Sequence, residues 1–242
     1  MGRAFEYRKA RKMKRWAGMA KAFTKVSREI NIAIKEGGPD PDYNPRLRLA
    51  IANAKAVNMP KANVDAAIKR ATDKDSANYD EVTFEGYGPH GIAILVEATS
   101  DNNNRTVANI RHVFSKYGGS MGVNGSVDYM FTRKGEFRIK AEDLKQELEE
   151  FELELIDAGL DSVERDGDEV VFYTAFEDFG QFQHALEERG ITVNNAALVR
   201  VPSHTKELTD KEAEAVIKLI DMLEEDDDVA NVFHTMDESE ED

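Results

Sequence analysis

Four basic side chains recur at regular spacing near the amino terminus and could bind phosphate groups. They lie seven residues apart, at Lys14, Lys21, Arg28 and Lys35. Residues seven apart share one face of an α-helix, so these cations would form a single line, with Lys25 beside it. Lysine and arginine bind phosphates through charge and N–H donors. The chemistry indicated is therefore the docking of a polyanion.

The candidate phosphate ligands extend on both sides of this line. The predicted nucleic-acid-binding residues are Arg3, Arg8, Lys9, Arg11, Lys12, Lys14, Arg15, Lys21, Lys25, Arg28, Lys35, Arg46, Arg48, Lys61, Lys69, Arg70 and Arg105. Lysines on an outer helix face often serve solubility alone. Here few acidic residues are interleaved to form i,i+4 ion pairs, so we favour nucleic-acid contact.

Charge is distributed unequally along the chain. The whole protein has a formal charge of −15, yet residues 1–75 hold 18 lysine and arginine residues against 8 acidic ones. The remainder, residues 76–242, carries a net charge of −25. A basic region on an acidic body is typical of a protein that docks a polyanion with one end.

Residues 101–106, with the sequence Asp-Asn-Asn-Asn-Arg-Thr, have two interpretations. Asparagine between a strand and a helix suits a turn and a helix N-cap. Alternatively the segment is an exposed patch that contacts phosphate or RNA edges through its amides and Arg105.

Other kinds of site lack support in the sequence. There are no cysteines, which excludes disulfides, thiol catalysis and cysteine-bound metals. The five histidines are scattered without metal-ligand spacing. Gly86-x-Gly88-x-x-Gly91 matches the residue pattern of a dinucleotide-binding fingerprint, but a strand pattern follows it instead of a helix. We therefore predict a glycine turn. We expect no catalytic residues, no cofactor, no metal and no membrane partner.

The elements that would position the basic residues are helices. An apolar seam at 3–4 spacing predicts the first, through Trp16, Met19, Phe23, Val26, Ile30 and Ala33. Residues 37–39, Gly-Gly-Pro, would end this helix. Asn44-Pro45 has the N-cap and N1 chemistry of a second helix, and Pro60 opens a third. Residues 15–72 are therefore predicted to form a compact helical domain.

Strand-like patterns begin after a polar linker at residues 73–80. Strands are expected at 82–84, 92–96 and 126–131, around a helix at 104–117. Residues 135–201 then show the β-α-β-β-α-β order of a ferredoxin-like domain. A capping box of Thr209 and Glu212 starts a last helix, which a strand at 229–233 follows.

The last helix and strand have no domain of their own, so we pair them with residues 78–131. The predicted fold class is α+β with three domains, an N-terminal helical domain and two ferredoxin-like α/β domains, the last inserted in the middle one. The predicted divisions are a basic helical domain 1–75, a discontinuous middle domain 78–131 plus 205–236, an inserted domain 132–204 and an acidic tail 237–242.

Several motifs together resemble a known family. They occupy residues 23–25, 28–30, 36–51, 58–61, 67–70, 85–89, 101–106 and 118–127. The stretch 36–51, Glu-Gly-Gly-Pro-Asp-Pro-Asp-Tyr-Asn-Pro-Arg-Leu-Arg-Leu-Ala-Ile, is the longest and most specific. On these motifs the chain resembles the YebC family over about residues 16–240. Family members typically begin Met-Ala-Gly-His-Ser-Lys-Trp, whereas this chain begins Met-Gly-Arg-Ala-Phe-Glu-Tyr.

The resemblance implies a three-domain protein with a helical N-terminal domain. It also implies a cytoplasmic, non-enzymatic regulator of transcription that binds DNA. Mitochondrial relatives resemble translation activators, and bacterial members have been linked to the ribosome. Two hypotheses follow: a DNA-binding transcriptional regulator, or a ribosome-associated translation factor that binds ribosomal RNA. Charge alone does not separate them. An enzyme would need a metal-spaced carboxylate cluster or a phosphate loop, and the sequence offers neither.

Overall fold

The amino-terminal region is helical. The structure is a computed structural model that describes residues 19–73, 78–144 and 147–237. Its first helices are α1 Met19–Gly37, α2 Pro45–Ala56 and α3 Lys61–Thr72. Their apolar faces share one core, formed by Val26, Ile30, Ala33, Ile34, Leu47, Ala50, Ala54, Met59, Val64, Ala67 and Ala71. The predicted seam is confirmed from Val26 to Ala33, and Trp16 lies outside the described residues.

Asn44 fixes the turn between α1 and α2. Its Oδ1 accepts from the backbone N–H of Leu47 at 3.0 Å, which confirms the predicted N-cap. Its Nδ2 donates to the carbonyls of Ala33 at 2.6 Å and Gly38 at 2.8 Å. One buried side chain therefore satisfies backbone groups of both helices.

The first antiparallel sheet is built from two separate parts of the chain. Its elements are β1 Asp80–Tyr87, β2 Ala93–Ser100, α4 Asn103–Lys116, β3 Ser120–Met121, α7 Asp210–Glu224 and β8 Val229–His234. The strand order is β3-β1-β2-β8. Side chains alternate along β2, so Ile94 and Val96 pack under α4 and α7 while Leu95 packs on Val127 and Phe131.

The second antiparallel sheet is continuous in sequence. Its elements are β4 Phe131–Lys140, α5 Leu148–Leu155, β5 Leu160–Asp166, β6 Glu169–Ala175, α6 Phe179–Glu188 and β7 Asn195–Pro202. The strand order β5-β6-β4-β7 is the one expected for the β-α-β-β-α-β pattern. Phe137, Phe172 and Phe182 are fully buried between the sheet and its helices. Short 3₁₀ turns occupy Pro89–Gly91, Asp128–Met130, Ala141–Asp143 and Ile156–Ala158.

Two sequence-based expectations about the strands are wrong. The first sheet opens with the β1–β2 hairpin, so its order is not the ferredoxin-like one. The strand expected at 126–131 is absent from these described residues, because Asp128–Met130 forms a 3₁₀ turn and β4 starts at Phe131. Gly135 does not interrupt β4. A Cβ there would lie 2.5 Å from Thr174 Oγ1 and 2.6 Å from the ring of Phe179, so packing excludes a side chain.

The chain leaves the first sheet and returns to it at neighbouring points. Phe131 opens β4 directly opposite Pro202 at the end of β7. The backbone N–H of Ser203 donates to the carbonyl of Met130 at 2.8 Å. The chain therefore enters and leaves the second sheet at adjacent points. The return segment leads to the capping box of Thr209 and Glu212, which is confirmed.

Candidate nucleic-acid interface

The predicted basic residues of α1 face the chain from Glu225 to Ala230 and, at Lys35, the residue Asn78 before β1. Lys21 Nζ donates to the carbonyl of Glu225 at 2.9 Å, and Lys25 Nζ donates to the carbonyl of Ala230 at 3.0 Å. Lys35 Nζ donates to Asn78 Oδ1 at 2.9 Å. Phosphate binding by these lysines stays a prediction. To bind phosphate, each lysine would have to exchange its present acceptor in the chain for a phosphate oxygen. The other predicted residues of the segment before α1 lie outside the described residues: Arg3, Arg8, Lys9, Arg11, Lys12, Lys14 and Arg15.

Arg28 makes the most extensive contacts on this line. Its Nη1 lies 3.1 Å from Asp228 Oδ1 and donates to the carbonyl of Thr99 at 2.9 Å. The guanidinium also lies 5.2 Å from the ring centroid of Tyr79, within the range of a cation–π contact. The side chain of Asp228 is 4% exposed and that of Arg28 is 15% exposed. This ion pair is therefore an internal joint between α1 and the first sheet.

Asp228 also binds the segment that follows β2. Its Oδ2 accepts from Thr106 Oγ1 at 2.6 Å, from Arg105 Nη2 at 2.7 Å and from Ser100 Oγ at 3.2 Å. Burial opposes ionisation of this carboxyl. Hydrogen bonds from Arg105 and Thr106, with the charges of Arg105 and Arg28, outweigh burial and lower the pKa of Asp228.

The asparagine-rich segment 101–106 caps α4. Asn102 Oδ1 accepts from the backbone N–H of Arg105 at 3.2 Å, so the N-cap interpretation is confirmed. Arg105 bridges Asp228 and Asp101, the latter at 2.9 Å, with its side chain 47% exposed. The contact of Arg105 with phosphate stays a prediction. Its guanidinium already pairs with two carboxylates of the chain.

A second charged cluster lies where α1, α2 and β1 meet. Arg46 lies 2.7 Å from a Glu36 carboxylate oxygen and 2.5 Å from one of Glu81. Glu29 is partly buried beside them. Burial raises the pKa of Glu29 to about 7, and the charges of Arg46 and Lys25 only partly oppose that shift. Arg46, predicted to bind phosphate, is therefore engaged with carboxylates of its own chain.

Arg48 is engaged in the same way by the turn before α2. Its Nη1 donates to the carbonyl of Pro41 at 2.8 Å and to that of Asp42 at 3.1 Å. These bonds hold the turn that Asn44 caps. Its predicted contact with phosphate is likewise untested, and the observed geometry gives Arg48 a role in local structure.

Further exposed cations of the helical region lie at α3 and at the end of α2. Lys61, Lys69 and Arg70 of the predicted set are exposed, and so is Lys55. Among the described residues, Arg70 Nε donates to the carbonyl of Ala66 in the preceding turn, at 3.3 Å. Lys61 and Lys69 are two turns apart on one face of α3, a separation of roughly 12 Å along the helix. This surface can approach a phosphate backbone without first breaking a tertiary contact.

Two exposed cations of α4 were not among the predicted phosphate ligands. Arg111 and Lys116 are exposed, whereas Ile110 and Phe114 of the same helix are buried in the core. The signal that could have found them is the same helical periodicity that assigned the apolar face.

A loop anchored by a buried carboxylate was also missed. Glu85 Oε1 accepts from the N–H of Gly125 at 2.6 Å, and Oε2 accepts from those of Val127 at 2.7 Å and Asp128 at 2.8 Å. Burial raises the pKa of Glu85, but these three bonds outweigh it and the net shift is downward. The loop is thereby preformed, and it exposes Val123 at 78% and Tyr129 at 71%.

The glycine motif at 86–91 forms the predicted turn between two strands. Gly86 lies in β1, where a Cβ would approach the carbonyl oxygen of Ser120 to 2.5 Å. After the Pro89–Gly91 turn the chain enters β2, so the motif does not lead into a helix as a dinucleotide fingerprint would. Among residues 19–73, 78–144 and 147–237, no group of three histidine, aspartate or glutamate side chains is arranged to hold a metal ion. Over the same ranges, every helix is too short or too polar to cross a membrane.

These elements define a class of α+β protein in which a basic helical region precedes two antiparallel sheets. Two family models describe the same chain. One, for the TACO1/YebC protein N-terminal domain, matches residues 3–74, and the other, for the TACO1/YebC second and third domain, matches residues 79–236. The chain belongs to the TACO1/YebC family, and the resemblance drawn from its motifs is confirmed.

Similar proteins are known from several bacteria. A Flavobacterium psychrophilum protein is 58% identical over 238 residues, covering 98% of this chain and 100% of its own. A Porphyromonas gingivalis protein is 53% identical over 240 residues, covering 99% of each chain. Both are named probable transcriptional regulatory proteins. The crystal structure of a conserved hypothetical protein from Aquifex aeolicus is similar with a TM-score of 0.82 and 39% identity, covering 92% of this chain and 91% of its own.

Proposed function

We propose that this protein is a non-enzymatic, cytoplasmic regulator that binds nucleic acid, with DNA in transcriptional regulation as its target. The names of its relatives, probable transcriptional regulatory proteins, support the regulatory role. The observation that carries the nucleic-acid contact is the charge asymmetry. Residues 1–75 have 18 basic against 8 acidic residues, while the rest of the chain is at −25. Phosphates are attracted to the first part and repelled by the second.

The described cations divide into two groups by their contacts. Arg28, Arg46 and Arg48 are held by carboxylates or carbonyls of the chain itself. Phosphate binding at those positions would exchange one set of charge-assisted hydrogen bonds for another, so the net gain is small. The exposed cations of α2 and α3 lose only water and counterions. We therefore assign the described part of the interface to Lys55, Lys61, Lys69 and Arg70.

Binding through these residues has a defined physical character. Lysine and arginine that neutralise phosphates release condensed counterions, and this release supplies most of the affinity. Such contacts position a protein on the backbone without reading bases. We expect weak sequence specificity and strong dependence on salt.

The proposal is tested by fluorescence anisotropy with duplex DNA over a range of salt concentrations. The variant Lys61→Gln/Lys69→Gln/Arg70→Gln should bind more weakly to every sequence, and the slope of log affinity against log salt should shrink by about 3. The matched control, Lys140→Gln/Lys211→Gln/Lys218→Gln, removes the same charge from exposed sites in the acidic part of the chain. Equal weakening by both variants, or a flat salt response of the unmodified protein, would contradict the proposal.

The same charge pattern suits ribosomal RNA, so the target is tested separately. Co-sedimentation with ribosomes is compared with promoter-DNA binding at matched salt, using the two variants above. Retention on ribosomes at a salt concentration that abolishes DNA binding would replace transcriptional regulation by action on translation. If ribosome retention and DNA binding are lost at the same salt concentration, the result would favour phosphate contacts that do not distinguish the two targets, as DNA binding requires.

A further inference from the structure

A groove with apolar walls and an acidic rim lies at the outer edge of the second sheet. It is formed by α5, the turn after it and the start of β5, and its volume is about 400 Å³. Its lining residues include Glu149, Glu152, Leu153, Ile156, Leu160 and Asp161. It is remote in sequence from the basic helical region.

The spacing of the α5 residues shows why the groove is apolar. Phe151 and Leu155 point into the core and are buried. Leu153 and Ile156 lie on the neighbouring face and are 70% and 56% exposed. Leucine and isoleucine at such exposure leave a large apolar area in water, which is unfavourable unless something covers it. Among the described residues, Leu153 of α5 and Ile156 of the turn after it therefore form a second apolar surface without a cover.

The strand that borders the groove has an open edge. In the described part of the sheet β5 pairs with β6 alone and stands at the end of the strand order. The outward N–H and C=O groups of an edge strand can pair with an added strand. An extended segment lying along β5 would gain backbone hydrogen bonds and would cover the apolar face of α5 at the same time.

Charge decides which kind of segment fits. Residues 132–204 contain 18 acidic residues against 8 basic ones, and Glu149 and Glu152 stand on the rim of the groove. Nucleic acid is repelled by such a surface. A second copy of this chain paired groove to groove would bring the same acidic rim against its own, and like charges at close range are unfavourable. A cationic polypeptide satisfies both the charge and the open strand edge.

We propose that this groove binds an extended cationic polypeptide segment of another protein, added as a strand along β5. Apolar side chains of the segment cover Leu153 and Ile156, and its lysine or arginine side chains meet the acidic rim. The site goes beyond the proposed function and is independent of it, because its residues lie in the second sheet and not in the basic helices.

The test uses the full chain and a fluorescent synthetic peptide of alternating lysine and valine, matched in length to β5. We expect this peptide to bind, its affinity to fall as salt is raised, and a peptide of alternating glutamate and valine not to bind. The variant Leu153→Ser/Ile156→Ser should weaken binding by roughly tenfold or more, since it removes two large apolar contacts. Both side chains are exposed, so the thermal unfolding of the variant should match that of the unmodified protein.

Two further variants distinguish binding at the groove from general attraction to an acidic surface. Glu149→Gln/Glu152→Gln should weaken binding and make it less dependent on salt. Glu187→Gln/Glu188→Gln removes the same charge from exposed positions of α6 outside the groove, and the affinity should stay within about twofold. Unchanged binding by the serine variant, or equal effects of the two glutamine variants, would overturn the proposal. So would sedimentation showing that the serine variant dissociates a dimer of this chain.

Discussion

The Asp228 carboxylate lies 3.1 Å from the guanidinium of Arg28, and this pair joins α1 to the loop that precedes β8. Sequence spacing placed Arg28 in a line of phosphate ligands. In the folded chain its acceptor is a buried aspartate that also binds Thr106 and Arg105. The line therefore contributes to the contact between the helical region and the first sheet, whatever else it binds.

We expect Arg28→Gln to lower the free energy of unfolding by about 1–3 kcal/mol, because Asp228 loses a charged partner in a largely buried site. Urea denaturation followed by circular dichroism measures the change. Lys140→Gln is the control, since its ion pair with Glu142 at 3.5 Å is exposed and should be worth under about 1 kcal/mol. Equal stability of the two variants would mean that the joint is not stabilising.

Glu29 should make stability depend on pH near neutrality. Burial raises its pKa from the ordinary 4.5 to about 7, so the folded chain retains a proton that the unfolded chain releases between these values. The folded state then binds more protons, and the contribution of Glu29 to the unfolding free energy falls as pH rises from about 4.5 to about 7. Above that range the contribution is constant.

Glu29→Gln removes this titration and isolates its effect. The variant should match the unmodified protein near pH 4 and exceed its unfolding free energy by up to about 3 kcal/mol above pH 7. Denaturation at a series of pH values, with Glu142→Gln as an exposed control, measures the difference at each pH. A difference that does not grow with pH would show that Glu29 titrates normally.

Glu85→Gln should loosen the loop that this carboxylate anchors. An amide offers one acceptor oxygen where the carboxylate accepts from Gly125, Val127 and Asp128, so at least one buried N–H loses its partner. Hydrogen exchange at these amides should accelerate while exchange in β2 stays slow. Asn124→Ala, an exposed change in the same loop, should leave the protection intact. In the unmodified protein the protection should also be lost in acid, because the lowered pKa stabilises the loop only while Glu85 is ionised.

The second sheet should fold without the first. We expect a fragment of residues 129–204 to unfold cooperatively, since its aromatic core is its own. Residues 78–131 alone should not fold, because β2 would lose β8 and the cover of α7. Calorimetry of the two fragments decides the matter. A cooperative transition from residues 78–131 would mean that the first sheet does not need its distant strand.

Elements with local signals could be predicted from the sequence. Asn44 and Asn102 act as N-caps, and Thr209 with Glu212 forms a capping box, each at the expected helix start. These signals work because the groups they satisfy lie within a few residues. The pairing of β8 with the first sheet was inferred because the predicted strand at 229–233 had no partner of its own. This inference is weaker than a capping signal, but it also depends on satisfying backbone hydrogen-bonding groups.

The site was harder to predict because its contacts are distant in sequence. Helical spacing showed that Lys21 and Lys25 share a face, but their acceptors lie 204 and 205 residues further along. No periodicity reports which neighbour covers a helix face. The packing of Gly135 could not be predicted for the same reason, since the ring of Phe179 that excludes a side chain there belongs to another element.

The pairing of Phe131 with Pro202 has a mechanical consequence. A pull applied to Asp80 and His234 acts on β1 and β8, both strands of the first sheet. The force passes through β2, which pairs with each of them, and it bypasses the second sheet. The second sheet is shielded from such tension until the first one ruptures. A force applied to the second sheet reaches the first through these paired strands and through the ion pairs of Arg200 with Glu97 and Asp128.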